Sequence, residues 1–368
     1  MSHLRLTNPA NGGFSLIEIM IGMVIGALGV ALMLQLFAAS EGQKRTVTGG
    51  GDAQTDVSIA LNILRSDIGM GGYGLVYTMM GCNLQLRAGV TLAAMGPVVI
   101  NHASIPAGDP NTDTLLVIYG SSNYLTDGQE IVSPSTAPTY TVRSAVAFAQ
   151  GDWVIAVNSA GPCTPATPSI PNPMVLDTIT AAPTVAPVPP ALAGSYNLTV
   201  AAHAGTAVLG GTLFNLGQAP IVRAYAVRNG ALTMCDYIAN ECSQNDPALW
   251  LPMIGNIVSL RAQYGRDTAT PVPTPIGQTT YRVDTYDQAT PTTACGWLRT
   301  PVVRLALVAR SDQYEKDTVT AAAPIWDGSA GNAIDLSTNT HWSNYRYKLL
   351  QTVAPIRNMA WMGVQTGC

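Results

Sequence analysis

An uncharged stretch close to the amino terminus is the feature that most constrains how this chain can fold. From Ile19 to Ser40 the sequence has 22 consecutive residues without a charge. About 20 predominantly apolar residues are enough for a helix to cross the hydrocarbon core of a bilayer. The sequence therefore predicts a membrane-spanning helix at this end of the chain.

A single carboxylate, that of Glu18, stands at the head of this run. A charged side chain is costly inside a membrane, and those that occur there usually have a partner and a function. Glu18 is therefore expected to meet a cation. Residues 1–13 are polar and the apolar run is long, which argues against an ordinary secretory signal peptide. A simple membrane anchor that happens to contain a Glu is the remaining alternative.

The residues around this point resemble the amino-terminal signal of type IV pilins and of the related pseudopilins of type II secretion. Gly13 and Phe14 match the cleavage junction of that signal, and Glu18 matches its fifth residue after the cut. Gly12 stands where Lys or Arg is frequent. The resemblance implies cleavage between Gly13 and Phe14 by a prepilin peptidase, N-methylation of Phe14, and assembly into a filament. There Glu18 would pair with the terminal ammonium of a neighbouring subunit, a contact suited to fixing axial register.

The chain is expected to divide along its length into a leader, a helix and a head. Residues 1–13 form the leader, residues 14–40 the membrane or filament-core half of the helix, and residues 41–68 its amphipathic half. Three glycines at Gly49–Gly51 predict a flexible break between the two halves, because each Gly costs up to about 1 kcal/mol relative to Ala. In the second half, apolar residues recur along one face at Val57, Leu61, Leu64 and Ile68.

Residues 69–368 are expected to form a β-rich head. Short apolar runs predict strands there, bounded by turn residues. The strongest signal is the Asn229–Gly230 pair between two alternating runs, which predicts a type I′ hairpin. A Pro-rich segment at 161–195 reads as an inserted surface excursion. The strand candidates are Thr114–Tyr119, Asp152–Val157, Ile221–Tyr237, Ile254–Tyr264, Val302–Arg310 and Tyr345–Arg357.

Six cysteines lie after the apolar run, at positions 82, 163, 235, 242, 295 and 368. With the leader in the cytoplasm, this part of the chain lies across the membrane in an oxidising space, so disulfides are expected before metal ligands. Six cysteines allow about 15 full pairings. A disulfide between Cys235 and Cys242 could close a short loop. The sequence does not indicate how the other four cysteines pair.

Two motif-like features are interpreted without a cofactor or metal. The GxGxxG at Gly69–Gly74 closes a helix instead of opening one, which argues against a dinucleotide site. The D-x-N-x-D at 109–113 lacks the Gly and the final Glu of a calcium loop and is interpreted as a turn, with calcium binding as the alternative. No hydrolase, metalloprotease or P-loop motif is present, so no catalytic residue is assigned and an enzyme is not expected.

A net charge of −4 with 11% charged residues gives no basic field for nucleic acid.

A second resemblance extends along the rest of the chain, to the PilW-type minor pilin family. The segments that carry it are Leu64–Ile68, Arg228–Gly230, Val258–Gly265, Val303–Ser311 and Tyr345–Asn358. The resemblance implies an α+β, pilin-like fold, with a long N-terminal hydrophobic helix packed on an antiparallel β-sheet and enlarged by Pro-rich insertions.

By this resemblance the chain would help to prime type IV pilus assembly, with a large head suited to the filament tip. The implied partners are the prepilin peptidase, other minor pilins, the major pilin and the inner-membrane assembly machinery. The implied location is the inner membrane before assembly and the pilus at the cell surface afterwards. The alternatives are a pseudopilin of type II secretion and a tip adhesin that uses the Pro-rich or disulfide-bonded region.

Overall fold

The computed structural model describes residue 13 and residues 15–123, 128–132, 138–157, 174–187, 193–201, 210–269 and 282–362. Several sequence expectations fall outside these residues. They concern most of the leader, Phe14, residues 161–173 and 188–192 of the Pro-rich segment, Cys163 and Cys368. Within the described part of that segment, the expected surface excursion is wrong for Met174–Thr178, a mostly buried strand paired on both sides. Its apolar residues lie between the prolines, so the backbone there is free to join a sheet. The described part consists of a long apolar helix and several antiparallel sheets, which confirms the α+β, pilin-like class.

The helix α1 spans Leu16–Met70, and the short helices α2 and α3 span Ala294–Leu298 and Arg357–Trp361. Single 3₁₀ turns lie at Tyr77–Met79 and Trp342–Asn344. α1 is helical through Gly49–Gly51, where the sequence led us to expect a break. The reason is that extending an existing helix through weak helix formers costs far less than nucleating a new one.

The chain forms two compact units, residues 1–51 and residues 52–368. The second unit contains the described strands. They are β1 (Leu84–Arg87), β2 (Val90–Leu92), β3 (Val98–Ile100), β4 (Leu115–Tyr119), β5 (Gln129–Glu130), β6 (Thr139–Val142), β7 (Trp153–Val157), β8 (Met174–Thr178), β9 (Thr184–Val185), β10 (Tyr196–Thr199), β11 (Thr212–Gly217), β12 (Ile221–Arg228), β13 (Ala231–Asp236), β14 (Leu251–Ile254), β15 (Ile257–Arg266), β16 (Thr285–Asp287), β17 (Val302–Arg310) and β18 (Tyr347–Pro355).

Two antiparallel sheets carry most of the strands that the sequence predicted. One has the order β14-β13-β12-β4-β3 and the other the order β16-β15-β17-β18. The β12–β13 hairpin turns at Asn229 and Gly230, with φ of 53° and 70°, as a type I′ turn requires. The predicted strand at Ile254–Tyr264 is instead divided between β14 and β15, because the chain turns at Asn256 with φ of 61°.

The other two sheets have the orders β2-β1-β8-β7-β11-β5 and β6-β10-β9. Among the described pairings, β1 and β8 are parallel and the rest are antiparallel. A small hydrophobic cluster lies between these two sheets and includes Val142, Val154 and Leu213. It is separate from the main core.

The main core joins the second half of α1 to the predicted sheets. Leu115, Tyr225, Leu260 and Leu305 belong to it and are fully buried. The buried hydrophobic residues of α1 are Ala53, Val57, Ala60, Leu64 and Ile68. This confirms the predicted face of the helix, except that Leu61 is only half buried. A third cluster, around Trp326, covers other residues of β17.

Candidate functional site

The start of α1 is capped by the side chain of Glu18. The Ser15 N–H donates to the Glu18 carboxylate at 3.0 Å, and the Ser15 carbonyl accepts from the Ile19 N–H at 3.2 Å. Ser15 and Glu18 thus hold the N-cap and third positions of a capping-box sequence, S-x-x-E. Glu18 satisfies one of the backbone donors that a helix leaves open at its start, and its side chain remains exposed. Gly13 is exposed, and Phe14 lies outside the described residues.

The first part of α1 presents apolar side chains to its surroundings on every side. Between Leu16 and Phe37 the large hydrophobic residues are at least half exposed, from 50% at Ile19 to 75% at Leu16. None of the most apolar 18-residue window is buried. By length and composition this helix could cross a membrane. Such a surface fits a membrane-anchored pilin.

Two glycines on this apolar surface form a face where another helix could pack closely. Gly22 and Gly26 lie four residues apart, and a Cβ added at either would meet nothing within 4 Å. A GxxxG spacing lets another helix approach the backbone closely. The face is therefore available to a helix from another subunit.

In the second unit, Asp67 links α1 to the sheet that contains β4 and β12. Its carboxylate accepts a hydrogen bond from the Tyr119 hydroxyl at 3.0 Å and another from the Tyr225 hydroxyl. The Arg223 guanidinium lies 3.4 Å away and completes the cluster. The Asp67 side chain is only 12% exposed. Three groups from two strands therefore position one carboxylate of the helix.

The electrostatics of this cluster favour the protonated phenols. Burial, together with the Asp67 charge and its hydrogen bond, raises the pKa of Tyr119 to about 12. The same causes raise the pKa of Tyr225 further. Both hydroxyls therefore remain donors to Asp67 at ordinary pH. The sequence analysis missed this cluster, although Asp67 is next to Ile68 on the buried face.

The cysteines in the described part are bonded. Cys235, near the end of β13, forms a disulfide with Cys242, the pair that the sequence indicated. Cys82 and Cys295 are also disulfide-bonded. Within the described ranges no group of three His, Cys, Asp or Glu side chains is arranged to hold a metal ion.

The D-x-N-x-D segment uses its carboxylates to bind backbone groups. Asp109 accepts from the N–H groups of Asn229 and Gly230 at 2.9 and 2.8 Å, which fixes the β12–β13 turn. Asp113 is buried and accepts from the Ala262 N–H at 2.9 Å. These bonds favour the turn interpretation over a calcium loop.

The glycine-rich segment after α1 is a helix end. α1 ends at Met70, and Gly72 and Gly74 have φ of 81° and 76°. Such positive φ values favour glycine. Because this GxGxxG follows a helix and no α-helix begins directly after it, the segment lacks the strand-to-helix context of a dinucleotide site.

Comparisons with known proteins match both ends of this architecture. The family described as type IV pilus-assembly protein W matches residues 224–358, a segment that begins in β12 and ends in α3. The prokaryotic N-terminal methylation motif matches residues 8–34, around the start of α1. No curated protein and no solved structure matches the chain. The first of these families is a structural component of the pilus and not a family of enzymes. The two matches support a type IV minor pilin of the PilW type.

Proposed function

We propose that this chain is a minor pilin that helps to prime and assemble type IV pili, at or near the filament tip. The observation that carries the proposal is the first part of α1, an exposed apolar helix with one carboxylate, Glu18, at its head. The prepilin peptidase would cut between Gly13 and Phe14, and Phe14 would then be N-methylated. Prepilin peptidase, other minor pilins, the major pilin and the inner-membrane machinery are the proposed partners.

Glu18 would act in assembly through its charge. Within the described residues its carboxylate accepts a hydrogen bond from the Ser15 N–H, and a carboxylate can accept several. The terminal ammonium of a neighbouring Phe14 could therefore be added without breaking the helix cap. The pair would be buried among apolar helices, where removing one partner is strongly unfavourable.

Replacing Glu18 in two ways separates this charge from the helix cap. Glu18→Gln retains an oxygen acceptor at a capping-box position but cannot form an ion pair. Glu18→Ala removes both. We expect both variants to be cleaved normally and to enter sheared pili at least about ten-fold less than the wild type, because an uncompensated buried ammonium costs several kcal/mol.

The measurement is mass spectrometry of sheared pili and of the membrane fraction, quantifying the peptide that begins at N-methylated Phe14. Wild-type pili should contain it. Normal incorporation of Glu18→Gln together with poor incorporation of Glu18→Ala would show that the cap matters and the ion pair does not. If the processed wild-type peptide occurs only in membranes and deletion abolishes protein secretion, the chain is a pseudopilin.

A further inference from the structure

Three adjoining cavities follow one another across the head. The first has a volume of about 590 Å³, the second about 450 Å³ and the third about 350 Å³. The first two share Asp109 and Asn229, and the last two share Asp335. Each volume falls within the range of about 300–1,000 Å³ common for small-molecule sites. We call the three together the polar groove.

Hydrogen bonds hold the carboxylates that line the polar groove. The Asp109 carboxylate accepts from the backbone of Asn229 and Gly230, as described above. The Asn111 side-chain amide donates to the Asp335 carboxylate at 2.8 Å, across 224 positions of sequence. The second Asp335 oxygen accepts from the Ser337 N–H at 2.9 Å. The shape is therefore formed before any ligand arrives.

Many of the side chains that line the groove both donate and accept hydrogen bonds. Threonine hydroxyls line the second cavity at Thr338 and Thr340. Side-chain amides line all three cavities, at Asn111, Asn229, Asn245, Gln263, Asn332 and Asn339. An amide offers two donor hydrogens and an acceptor oxygen. This mixture matches sugar hydroxyls, each of which also donates and accepts.

The charges in the groove are distributed and nearly balanced. Each cavity has one arginine, namely Arg228, Arg310 and Arg261 in order, and the shared carboxylates are Asp109 and Asp335. A polyanion would be expected to meet a cluster of basic groups, and a polycation a cluster of acidic ones. The alternation of charge in the groove instead suits an uncharged polar ligand.

Two of the arginines are held rigidly against aromatic rings. Arg228 lies over the Trp250 ring at 4.1 Å, and Arg310 lies over the Tyr345 ring at 4.6 Å. The Arg228 guanidinium also donates to the Pro106 carbonyl at 2.8 Å. The positions of these two guanidinium groups are therefore fixed before a ligand binds.

We propose that the polar groove binds an uncharged oligosaccharide, with Asp335 at its centre accepting hydrogen bonds from sugar hydroxyls. A row of three connected cavities suits a chain of sugar units better than one small molecule. The half-buried Tyr347 in the second cavity provides an aromatic ring for the C–H face of a sugar. The site lies entirely in the second unit, so binding does not depend on filament formation.

The test uses the full chain in phospholipid nanodiscs, which avoids detergents that carry sugar head groups. The probes are uncharged hexasaccharides of glucose, of galactose and of N-acetylglucosamine, assayed by saturation-transfer NMR and titration calorimetry up to about 10 mM ligand. A heparin-derived hexasaccharide and a hexapeptide rich in Ser and Asn serve as comparators. Binding of at least one uncharged hexasaccharide is expected.

Two variants locate the binding. Asp335→Ala removes the exposed central carboxylate and should weaken binding about ten-fold, the usual effect of losing hydrogen bonds to a charged group. Thr338→Trp places a bulky side chain at an exposed position of the second cavity and should abolish binding. Asp317→Ala, at an exposed carboxylate away from the groove, is the matched control and should bind like the wild type.

Several outcomes would overturn the proposal. They are binding of none of the uncharged sugars, equal binding by wild type and Asp335→Ala, and preference for heparin or the peptide over every uncharged sugar. Loss of pilus incorporation in the Glu18 variants bears on assembly alone. The two proposals therefore fail or succeed independently.

Discussion

At the scale of single residues, His102 couples the stability of the head to pH. It is 6% exposed, its Nε2 donates to the Ala93 carbonyl at 2.6 Å, and its Nδ1 accepts from the Ser104 N–H at 3.1 Å. Because the Ser104 N–H can only donate, the ring must be neutral to keep both bonds. Burial lowers the pKa of His102 below its ordinary value of 6.5.

The sign of the pH effect follows from this direction. The unfolded chain takes up a proton near pH 6.5 and the folded chain only at lower pH, so the stabilisation is complete above pH 6.5 and is lost as the pH falls below it. As the pH falls, we expect the free energy of unfolding of the wild type to decrease by up to about 1.4 kcal/mol per pH unit more than that of His102→Gln. The reason is that the glutamine side chain does not titrate. Urea denaturation at several pH values between 7.5 and 5 measures this. Identical pH dependence in the two proteins would contradict the assignment.

Two of the carboxylates of α1, those of Glu18 and Asp67, differ in how visible they are in the sequence. Glu18 is conspicuous because it stands at the head of an uncharged run, where a charge is expensive. Asp67 looks like any polar residue of an amphipathic helix. Its role depends on Tyr119 and Tyr225, which are 52 and 158 positions away, and only the folded chain brings them together.

At the scale of elements, the Asp67 cluster should decide how firmly α1 is attached to its sheet. Asp67→Ala leaves the Arg223 charge without its carboxylate and both phenols without their acceptor. We expect a loss of about 2–4 kcal/mol in the free energy of unfolding, since hydrogen bonds to a charged group each contribute about 1.5–3 kcal/mol and part of the site is solvated.

Asp52→Ala is the matched control for this change, because Asp52 is an exposed carboxylate on the same helix. Surface substitutions of this kind usually change stability by less than about 0.5 kcal/mol. Chemical denaturation followed by circular dichroism compares the two variants. Equal midpoints would show that Asp67 does not hold the helix.

Elements were predictable where a local pattern determines them. The Asn229–Gly230 turn and the strand β17 follow from turn chemistry and from an apolar run. The helical continuity at Gly49–Gly51 could not be predicted from the sequence. Glycine propensity describes isolated helices, whereas α1 is already nucleated on both sides. The parallel pairing of β1 with β8 joins strands far apart in sequence and has no local signal.

At the scale of the whole molecule, the second unit should fold without the first. Residues 52–368 contain the buried hydrophobic residues of α1, from Ala53 to Ile68, and all the described sheets. We expect this fragment, exported with a cleavable signal peptide, to be monomeric without detergent, whereas the full chain needs detergent or lipid because of its exposed apolar helix. Size-exclusion chromatography and thermal unfolding test this.

A shorter fragment, residues 66–368, is the control for this prediction. It lacks Ala53, Val57, Ala60 and Leu64 and thereby exposes the core they cover. Deleting buried apolar side chains costs both their transfer free energy and that of the cavity left behind. This fragment should aggregate. If both fragments behave alike, the second half of α1 is not part of the folded core.

The cysteines have a consequence for how the protein is made. Cys82, Cys235, Cys242 and Cys295 are all bonded, and such bonds persist only outside a reducing cytoplasm. The head therefore reaches its final form only where its thiols can be oxidised. A cell short of oxidising equivalents would accumulate chains with immature heads.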